Sequence, residues 1–124
     1  NALNKANLEP DEISYINSHG TGTKNNDLSE SIAIKNVFGK SIPPFSSTKA
    51  FTGHTLAAAG AIEAVYSVLA IKNSMHFSGL NYNEPLAETL MHPVTEPTPA
   101  LTKHVMSNSF GFGGNNSSLI FSGI

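Results

Sequence analysis

The sequence contains no cysteine, no tryptophan and no arginine, and these absences limit what the 124-residue chain can do. Without cysteine the chain has no disulfide, no thiolate metal ligand and no thiol nucleophile of its own. Without arginine, its basic charge rests on seven lysines, which are spread from Lys5 to Lys103. Because the net charge is −2 and no basic stripe exists, we expect no strong binding to nucleic acid.

Long apolar runs are also missing. No uninterrupted run approaches the roughly 20 residues that a membrane span needs, and the N-terminus lacks a signal-peptide pattern. We therefore expect no membrane association and a cytoplasmic location. The composition, with 40% hydrophobic and 13% charged residues, is typical of one globular domain, which we place over residues 1–124.

Strand and helix patterns alternate along the chain. Strands are predicted over residues 13–17, 45–49, 104–109 and 118–121. Helices are predicted over residues 26–38 and 56–73, and a surface loop over residues 81–99. The second helix begins with alanine and glycine, which let another backbone come close, so we expect it to be central. The alternation predicts an α/β layered domain that ends in an antiparallel pair of strands.

Three residues with reactive side chains lie where this order of elements places loops or element ends. His19 and Lys49 follow predicted strands, and His54 opens the long helix, where the positive end of the dipole disfavours a protonated ring. Two neutral imidazoles that donate hydrogen bonds to one oxygen form an oxyanion site rather than a general-base pair. Glu63, in the alanine-rich helix, needs a partner for its carboxylate, and Lys49 is the nearest candidate in sequence.

Each of these features also has an ordinary structural interpretation. A histidine that starts a loop is frequently a cap or a surface residue, and the glycine turn after Ser109 is also consistent with a simple hairpin connection.

Metal and nucleotide sites are disfavoured. No histidine pair has the H-E-x-x-H spacing, the GTGTK of residues 20–24 lacks the Walker frame, and the GFGG of residues 111–114 is not G-x-G-x-x-G.

Three longer motifs follow one another along the chain. They are HGTGT at 19–23 with Asp27 and Glu30 downstream, STKAFTGHTLAAAGAIEA at 47–64, and NSFGFGGNNSSLIF at 108–121. Together they resemble the C-terminal half of an elongating β-ketoacyl-acyl carrier protein synthase over essentially the whole chain. Ala57 departs from the pattern, because many relatives carry glycine there.

The resemblance implies a thiolase-type fold, in which two similar α/β halves pack as a five-layered α-β-α-β-α sandwich. This chain would be the second half only, a mixed five-stranded sheet layered with helices. The family's nucleophilic cysteine belongs to the first half, which would explain why this chain has none.

The resemblance also implies roles for individual residues. His19 and His54 would donate to the malonyl thioester oxygen, and Lys49 would complete the catalytic set. The other implied roles are a supporting network of Glu63, Asp27 and Glu30, pantetheine binding by Thr21 and Thr23, and a gate and oxyanion loop of Phe112, Gly111 and Gly113.

The implied reaction is a decarboxylative Claisen condensation in fatty acid or polyketide synthesis. It needs no resident cofactor, because both substrates arrive on the phosphopantetheine of acyl carrier protein. The implied partners are acyl carrier protein and the N-terminal half of the same enzyme, with a homodimer of the full-length protein, and the isolated chain is expected to be inactive.

A non-catalytic, chain-length-factor-like partner and a thiolase remain alternatives, although the two histidines, with a lysine before the second, favour an active synthase.

Overall fold

The computed structural model describes residues 1–123. The helices are α1 (Ala2–Ala6), α2 (Lys24–Phe38), α3 (Lys49–Thr52) and α4 (Ala59–Asn73), with 3₁₀ turns at Pro10–Glu12 and Leu56–Ala58. The strands are β1 (Tyr15–Asn17), β2 (Phe45–Ser46), β3 (Met75–His76), β4 (Thr98–Pro99), β5 (His104–Phe110) and β6 (Asn116–Ser122). The predicted α/β alternation and the final antiparallel pair are confirmed.

The main sheet is mixed and has the strand order β2-β1-β5-β6. Strand β1 is parallel to both β2 and β5, and β5 pairs antiparallel with β6. Because β1 lies between two parallel neighbours, its carboxyl end, the end of β2 and the end of β5 meet at one edge of the sheet. In such sheets this edge is where ligands collect.

The main sheet has four strands in the described chain, where the resemblance implied five. Strands β3 and β4 form a separate two-stranded sheet. The place beside β2 is taken by irregular chain, since the Val94 N–H donates to the Phe45 carbonyl at 2.8 Å. Prolines 43, 44 and 93 flank this contact, and a proline has no N–H to extend a ladder, so the edge pairing stays short.

The two long helices cover opposite faces of the sheet. On one face, Ile34 and Phe38 of α2 form a buried cluster with Ile16 and Met106 of the strands. On the other face, Ala70 of α4 packs with Tyr15 and Val105. The alternation of neighbouring residues between the two clusters follows from the two-residue period of a strand.

Helix α4 packs on the sheet with one side and leaves its other side open. Val65 and Val68 are exposed, and only 22% of the stretch Leu56–Asn73 is buried. By length and composition alone, with a mean hydropathy of 1.2, this is the one helical stretch among residues 1–123 that could cross a membrane. The sequence had led us to expect no such stretch, and the exposed residues on the open side include Val65 and Val68.

Two element boundaries differ from the predictions in ways that affect the site. Strand β2 ends at Ser46, so Lys49 is the first residue of the short helix α3 rather than the end of a strand. Helix α4 begins at Ala59, five residues after His54, because Gly53 (φ 70°) and Leu56 (φ 53°) interrupt helical geometry.

Candidate functional site

His19 lies directly beyond β1, at the carboxyl edge of the sheet, and its side chain is buried. The buried carboxylate of Glu30, on α2, holds this point of the backbone. It accepts the His19 N–H and the Gly20 N–H, both at 2.9 Å, and the Asn108 side-chain amide at 3.2 Å. Burial raises the pKa of Glu30, and these donors act against that rise. Glu30 therefore fixes where the histidine leaves the strand.

Lys49 and Glu63 form a buried ion pair beneath His19, as the sequence predicted. The Lys49 ammonium also donates to the His19 carbonyl at 2.6 Å and lies 3.2 Å from His19 Nδ1. An ammonium has only donors, so Nδ1 must accept and the ring must carry its single proton on Nε2.

The surroundings of His19 keep its ring uncharged. Burial is the largest cause, followed by the charge of Lys49 and then by His54, and together they lower the pKa of His19 from 6.5 to about 4. Asp27 acts weakly in the opposite direction. At neutral pH the ring is therefore a neutral hydrogen-bond donor through Nε2.

The His54 ring also carries its proton on Nε2, but a backbone N–H rather than a lysine occupies its Nδ1. It lies in the turn before the 3₁₀ segment, and its Nδ1 accepts the Leu56 N–H at 3.1 Å, which leaves the proton on Nε2. The sequence predicted that His54 opens the long helix, whereas α4 begins five residues later and the donor to Nδ1 is the first N–H of the 3₁₀ turn. Leu56 has φ of 53°, an unfavourable backbone conformation for leucine that places its N–H under the ring.

The two imidazoles come together although they are 35 positions apart in sequence. Their ring centroids are 5.6 Å apart and their planes are nearly perpendicular, at 88°. Each ring has its Nδ1 occupied by a donor, so each can offer only an Nε2–H. The arrangement provides two Nε2–H donors, which suits an oxygen that gains negative charge during a reaction.

The sequence did not single out the buried amides or the aromatic ring around this centre. Phe110 packs on His19 with ring centroids 5.5 Å apart, and Asn108 reaches Glu30. The Asn17 amide donates to the Glu63 carbonyl at 3.2 Å. The position of these residues in the predicted strands could have identified them. Asn17 ends the central strand β1, and Asn108 and Phe110 lie at the end of its neighbour β5.

Other predicted site residues lie near the centre without joining its hydrogen-bond network. The hydroxyls of Thr21 and Thr23 are exposed and 3.0 Å from each other. Asp27 accepts the Gly22 N–H at 3.3 Å, and no hydrogen bond links it to the Lys49–Glu63 pair among residues 1–123. It therefore braces the glycine-threonine turn.

The predicted gate residue, Phe112, is fully exposed at the tip of the β5–β6 turn. The Gly111 N–H closes this turn on the Asn115 carbonyl at 3.0 Å, and Gly113 has φ of 81°. Within residues 1–123, no part of the chain buries this aromatic ring.

A cavity of about 780 Å³ opens beside His54, and Ser18 and Gly20, the sequence neighbours of His19, also line it. Thr21, Gly53 and His54 line one side, and residues 79–86 line the other. The cavity is large enough for an extended small molecule to lie beside His54. Within residues 1–123, no group of three or more histidine, aspartate or glutamate side chains could hold a metal ion.

Gly20 provides a direct test of the close packing around His19. Its φ is 41°, and an added Cβ would lie 2.5 Å from Ser47 Cβ, whereas Gly22 (φ 72°) has open space at that position. Both Gly20→Ala and Gly22→Ala add about 1–2 kcal/mol of backbone strain. Only the first also forces two carbon atoms into overlap, so we expect Gly20→Ala to lower the thermal unfolding midpoint clearly more. Equal losses in the two variants would contradict this packing.

Comparison with known proteins connects this geometry to a family. The family model described as beta-ketoacyl synthase, C-terminal domain, matches residues 1–83. The chain is 52% identical over 112 residues to a 3-oxoacyl-[acyl-carrier-protein] synthase 1 of Haemophilus influenzae, covering 88% of this chain and 27% of that protein. It is 43% identical over 129 residues to a mitochondrial 3-oxoacyl-[acyl-carrier-protein] synthase of Arabidopsis thaliana, covering 99% and 28%. The chain therefore spans less than a third of the length of these relatives.

Solved structures agree with the sequence relatives. The ishigamide ketosynthase/chain length factor superposes with a TM-score of 0.95 at 36% identity, over 98% of this chain and 30% of that one. The complex titled AntDE:AntF, a type II PKS acyl-carrier protein with its ketosynthase, gives a TM-score of 0.93 at 35% identity, over 99% and 31%. These superpositions confirm the thiolase-like fold class.

Proposed function

The chain belongs to the β-ketoacyl synthase C-terminal domain family, and from this premise we propose that it is one half of a 3-oxoacyl-acyl carrier protein synthase. In this proposal the full-length protein is an acyltransferase that elongates a fatty acid or polyketide chain. The similarity to 3-oxoacyl-[acyl-carrier-protein] synthases over nearly the whole of this chain supports it.

The proposed reaction joins two thioesters. An acyl group first moves from its carrier to a cysteine of the N-terminal half. The bond between the malonyl carboxylate and its α-carbon then breaks, carbon dioxide leaves, and the electron pair forms an enolate with its charge on the thioester oxygen. The enolate carbon attacks the acyl carbonyl, the bond from that carbonyl carbon to the cysteine sulfur breaks, and the thiolate leaves. No resident cofactor takes part in this scheme.

The observation that carries the proposal is the pair of Nε2–H donors on His19 and His54. Charge on the thioester oxygen grows as carbon dioxide leaves, so donors that are fixed beforehand stabilise the transition state more than the substrate. Burial keeps the His19 ring neutral with help from the charge of Lys49, and Lys49, paired with Glu63, fixes the required tautomer. In the proposal, the pantetheine arm is bound by Thr21, which lines the cavity beside His54, and by Thr23, whose hydroxyl is 3.0 Å from that of Thr21.

The open apolar side of α4 supports the proposal that an N-terminal half covers this chain. Val65, Val68 and Leu69 are exposed on α4, and Phe112 is exposed at the β5–β6 turn. Contiguous apolar surface of this kind marks an interface. We propose that the missing half packs there and supplies both the cysteine and the surroundings in which Phe112 acts as a gate, with its backbone N–H and the flanking Gly111 and Gly113 forming the oxyanion loop.

Acyl carrier protein is the proposed partner of the full-length enzyme. The similar structure titled AntDE:AntF holds an acyl-carrier protein with its ketosynthase, which supports the proposal. A homodimer of the full-length protein, a cytoplasmic location, and the absence of membrane and nucleic-acid binding stay predictions.

A non-catalytic, chain-length-factor-like subunit is the second candidate. Structural similarity favours it, because two of the similar structures are titled as ketosynthases with their chain length factors. The paired Nε2–H donors favour the synthase, since a subunit without chemistry does not need them. A cysteine at a helix N-terminus in the preceding part of the protein would identify the synthase.

The proposed function is tested by incubating the full-length protein with an acyl carrier thioester and malonyl-acyl carrier protein. We expect mass spectrometry to show a β-ketoacyl carrier two carbons longer, with release of carbon dioxide. The isolated 124-residue chain should give no product, because it has no cysteine. Absence of product from the full-length protein, with both carriers loaded, would contradict the proposal.

A further inference from the structure

The two carboxylate oxygens of Glu63 have different partners. Oε1 receives the Lys49 ammonium, and Oε2 accepts a hydrogen bond from the Ser109 hydroxyl at 3.2 Å. Glu63 is only 2% exposed, so neither oxygen can rely on bulk water. A buried carboxylate that lacks one of its donors is less well held, because charged groups depend strongly on their hydrogen bonds.

Ser109 is held against Glu63 by the packing of β5 on α4. Gly60, three residues before Glu63 on the helix, leaves room for the hydroxyl, since a Cβ at this position would lie 3.2 Å from Ser109 Oγ. The Asn17 amide and the Ser67 hydroxyl, at 3.2 and 2.8 Å, bind the main-chain carbonyl of Glu63 rather than its carboxylate. The carboxylate therefore depends on Lys49 and Ser109.

The position of Ser109 connects two parts of the site. The next residue, Phe110, packs on the His19 ring, and the turn with Phe112 follows at once. The end of β5 therefore carries the Ser109 hydroxyl that donates to Glu63 and the Phe110 ring that packs on His19. The turn that contains Phe112 begins directly after them.

We propose that Ser109 is a positioning residue that orients Glu63, and through it directs Lys49 toward His19 Nδ1. The inference rests on the proposed function, since its effect is on the donor that meets the malonyl thioester. With Oε2 bound to Ser109, Oε1 faces Lys49, and the ammonium stays between Glu63 and His19. Without the hydroxyl, the carboxylate can turn and draw Lys49 away from the ring.

Movement of Lys49 would be observed through the pKa of His19, which depends on the titratable groups that face its ring. Lys49 of α3 and His54 lower the pKa of His19, Asp27 of α2 raises it, and the Glu30 carboxylate binds the backbone N–H. If Lys49 moves away, one cause of the lowering weakens and the pKa of His19 rises toward 6.5. Protonated His19 cannot keep its Nδ1 as an acceptor for Lys49, so decarboxylation should fail at a higher pH than in the unaltered enzyme.

The test compares Ser109→Ala with Ser117→Ala in the full-length protein. Ser117 is the cross-strand neighbour of Ser109 on β6 and is exposed, so it is a matched control. We expect Ser109→Ala to lower kcat for malonyl decarboxylation about tenfold, with an unchanged KM for malonyl carrier and unchanged acylation of the cysteine. The acid limb of its pH profile should move to higher pH, and Ser117→Ala should behave like the unaltered enzyme.

Two results would overturn the inference while leaving the proposed function intact. One is a Ser109→Ala enzyme with the same kcat and pH profile as Ser117→Ala. The other is an equal loss of acylation and decarboxylation with an unmoved acid limb, which would show a role in folding alone. Failure of the unaltered full-length protein to decarboxylate malonyl carrier would instead contradict the proposed function.

Discussion

Replacing His54 with alanine in the full-length protein should reduce malonyl decarboxylation by about 10²–10³-fold, the usual effect of removing one oxyanion donor. The structure shows why the loss should be so large. His54 Nδ1 is occupied by the Leu56 N–H, so the ring presents a fixed Nε2–H beside that of His19. Acylation of the cysteine uses a different carbonyl and should stay measurable. The rate of carbon dioxide release under saturating malonyl carrier checks this expectation.

His104→Ala is the matched control for this variant. His104 lies at the opposite end of β5 from the site and binds Ser122, so its removal should leave decarboxylation within twofold of normal. If His54→Ala decarboxylates as fast as His104→Ala, His54 is not a donor to the thioester oxygen. If acylation falls as far as decarboxylation, its role is not specific to the malonyl step.

Replacing Lys49 with methionine should damage both the fold and the reaction. The variant leaves Glu63 as a buried carboxylate without its cation, and breaking a buried pair in this way costs about 3–5 kcal/mol in the free energy of unfolding. It also removes the donor to His19 Nδ1, so the ring is no longer confined to the Nε2–H tautomer. Denaturant unfolding and the decarboxylation rate measure the two effects separately.

The double variant Lys49→Met with Glu63→Met separates the electrostatic cause of the stability loss from the role in catalysis. Apolar residues of similar volume often replace a buried ion pair with little loss of stability, so the double variant should be clearly more stable than Lys49→Met alone. Its decarboxylation should stay low, because His19 Nδ1 still lacks its donor. Recovery of both stability and rate in the double variant would show that the pair is only structural.

The sequence predicted the site residues better than the local structure that carries them. His19, Lys49, His54 and Glu63 come together as their motifs suggested, because β1 and β2 end at one sheet edge, α3 follows β2, and α4 brings Glu63 to Lys49. The proximity of the two histidines and the buried ion pair followed from element order and from the need to compensate a buried charge.

The hydrogen-bond partner of His54 Nδ1 could not be predicted from the sequence. The alanine-rich pattern after it is helical from Leu56 onward, yet α4 begins at Ala59. Leu56 adopts a left-handed conformation that is unfavourable for leucine, and no helix propensity predicts it. The sequence therefore favoured a helix dipole, where the structure has a single backbone N–H.

The sequence also could not predict which helices the side chains of β5 contact. A run such as NSF shows that Asn108, Ser109 and Phe110 alternate between the faces of a strand, but not which elements those faces meet. The structure places α2 on one face and α4 on the other, so Asn108 reaches Glu30 and Ser109 reaches Glu63. The same limit applies to the size of the main sheet, which has four strands within residues 1–123 where the resemblance implied five.

The most direct test of the two-donor site is a structure of the full-length protein with a non-cleavable malonyl thioester analogue bound. We predict that Nε2 of His19 and Nε2 of His54 both lie about 2.7–3.2 Å from the same thioester oxygen. A complex in which only one of the two rings contacts that oxygen, or in which either ring presents Nδ1 to it, would contradict the two-donor site.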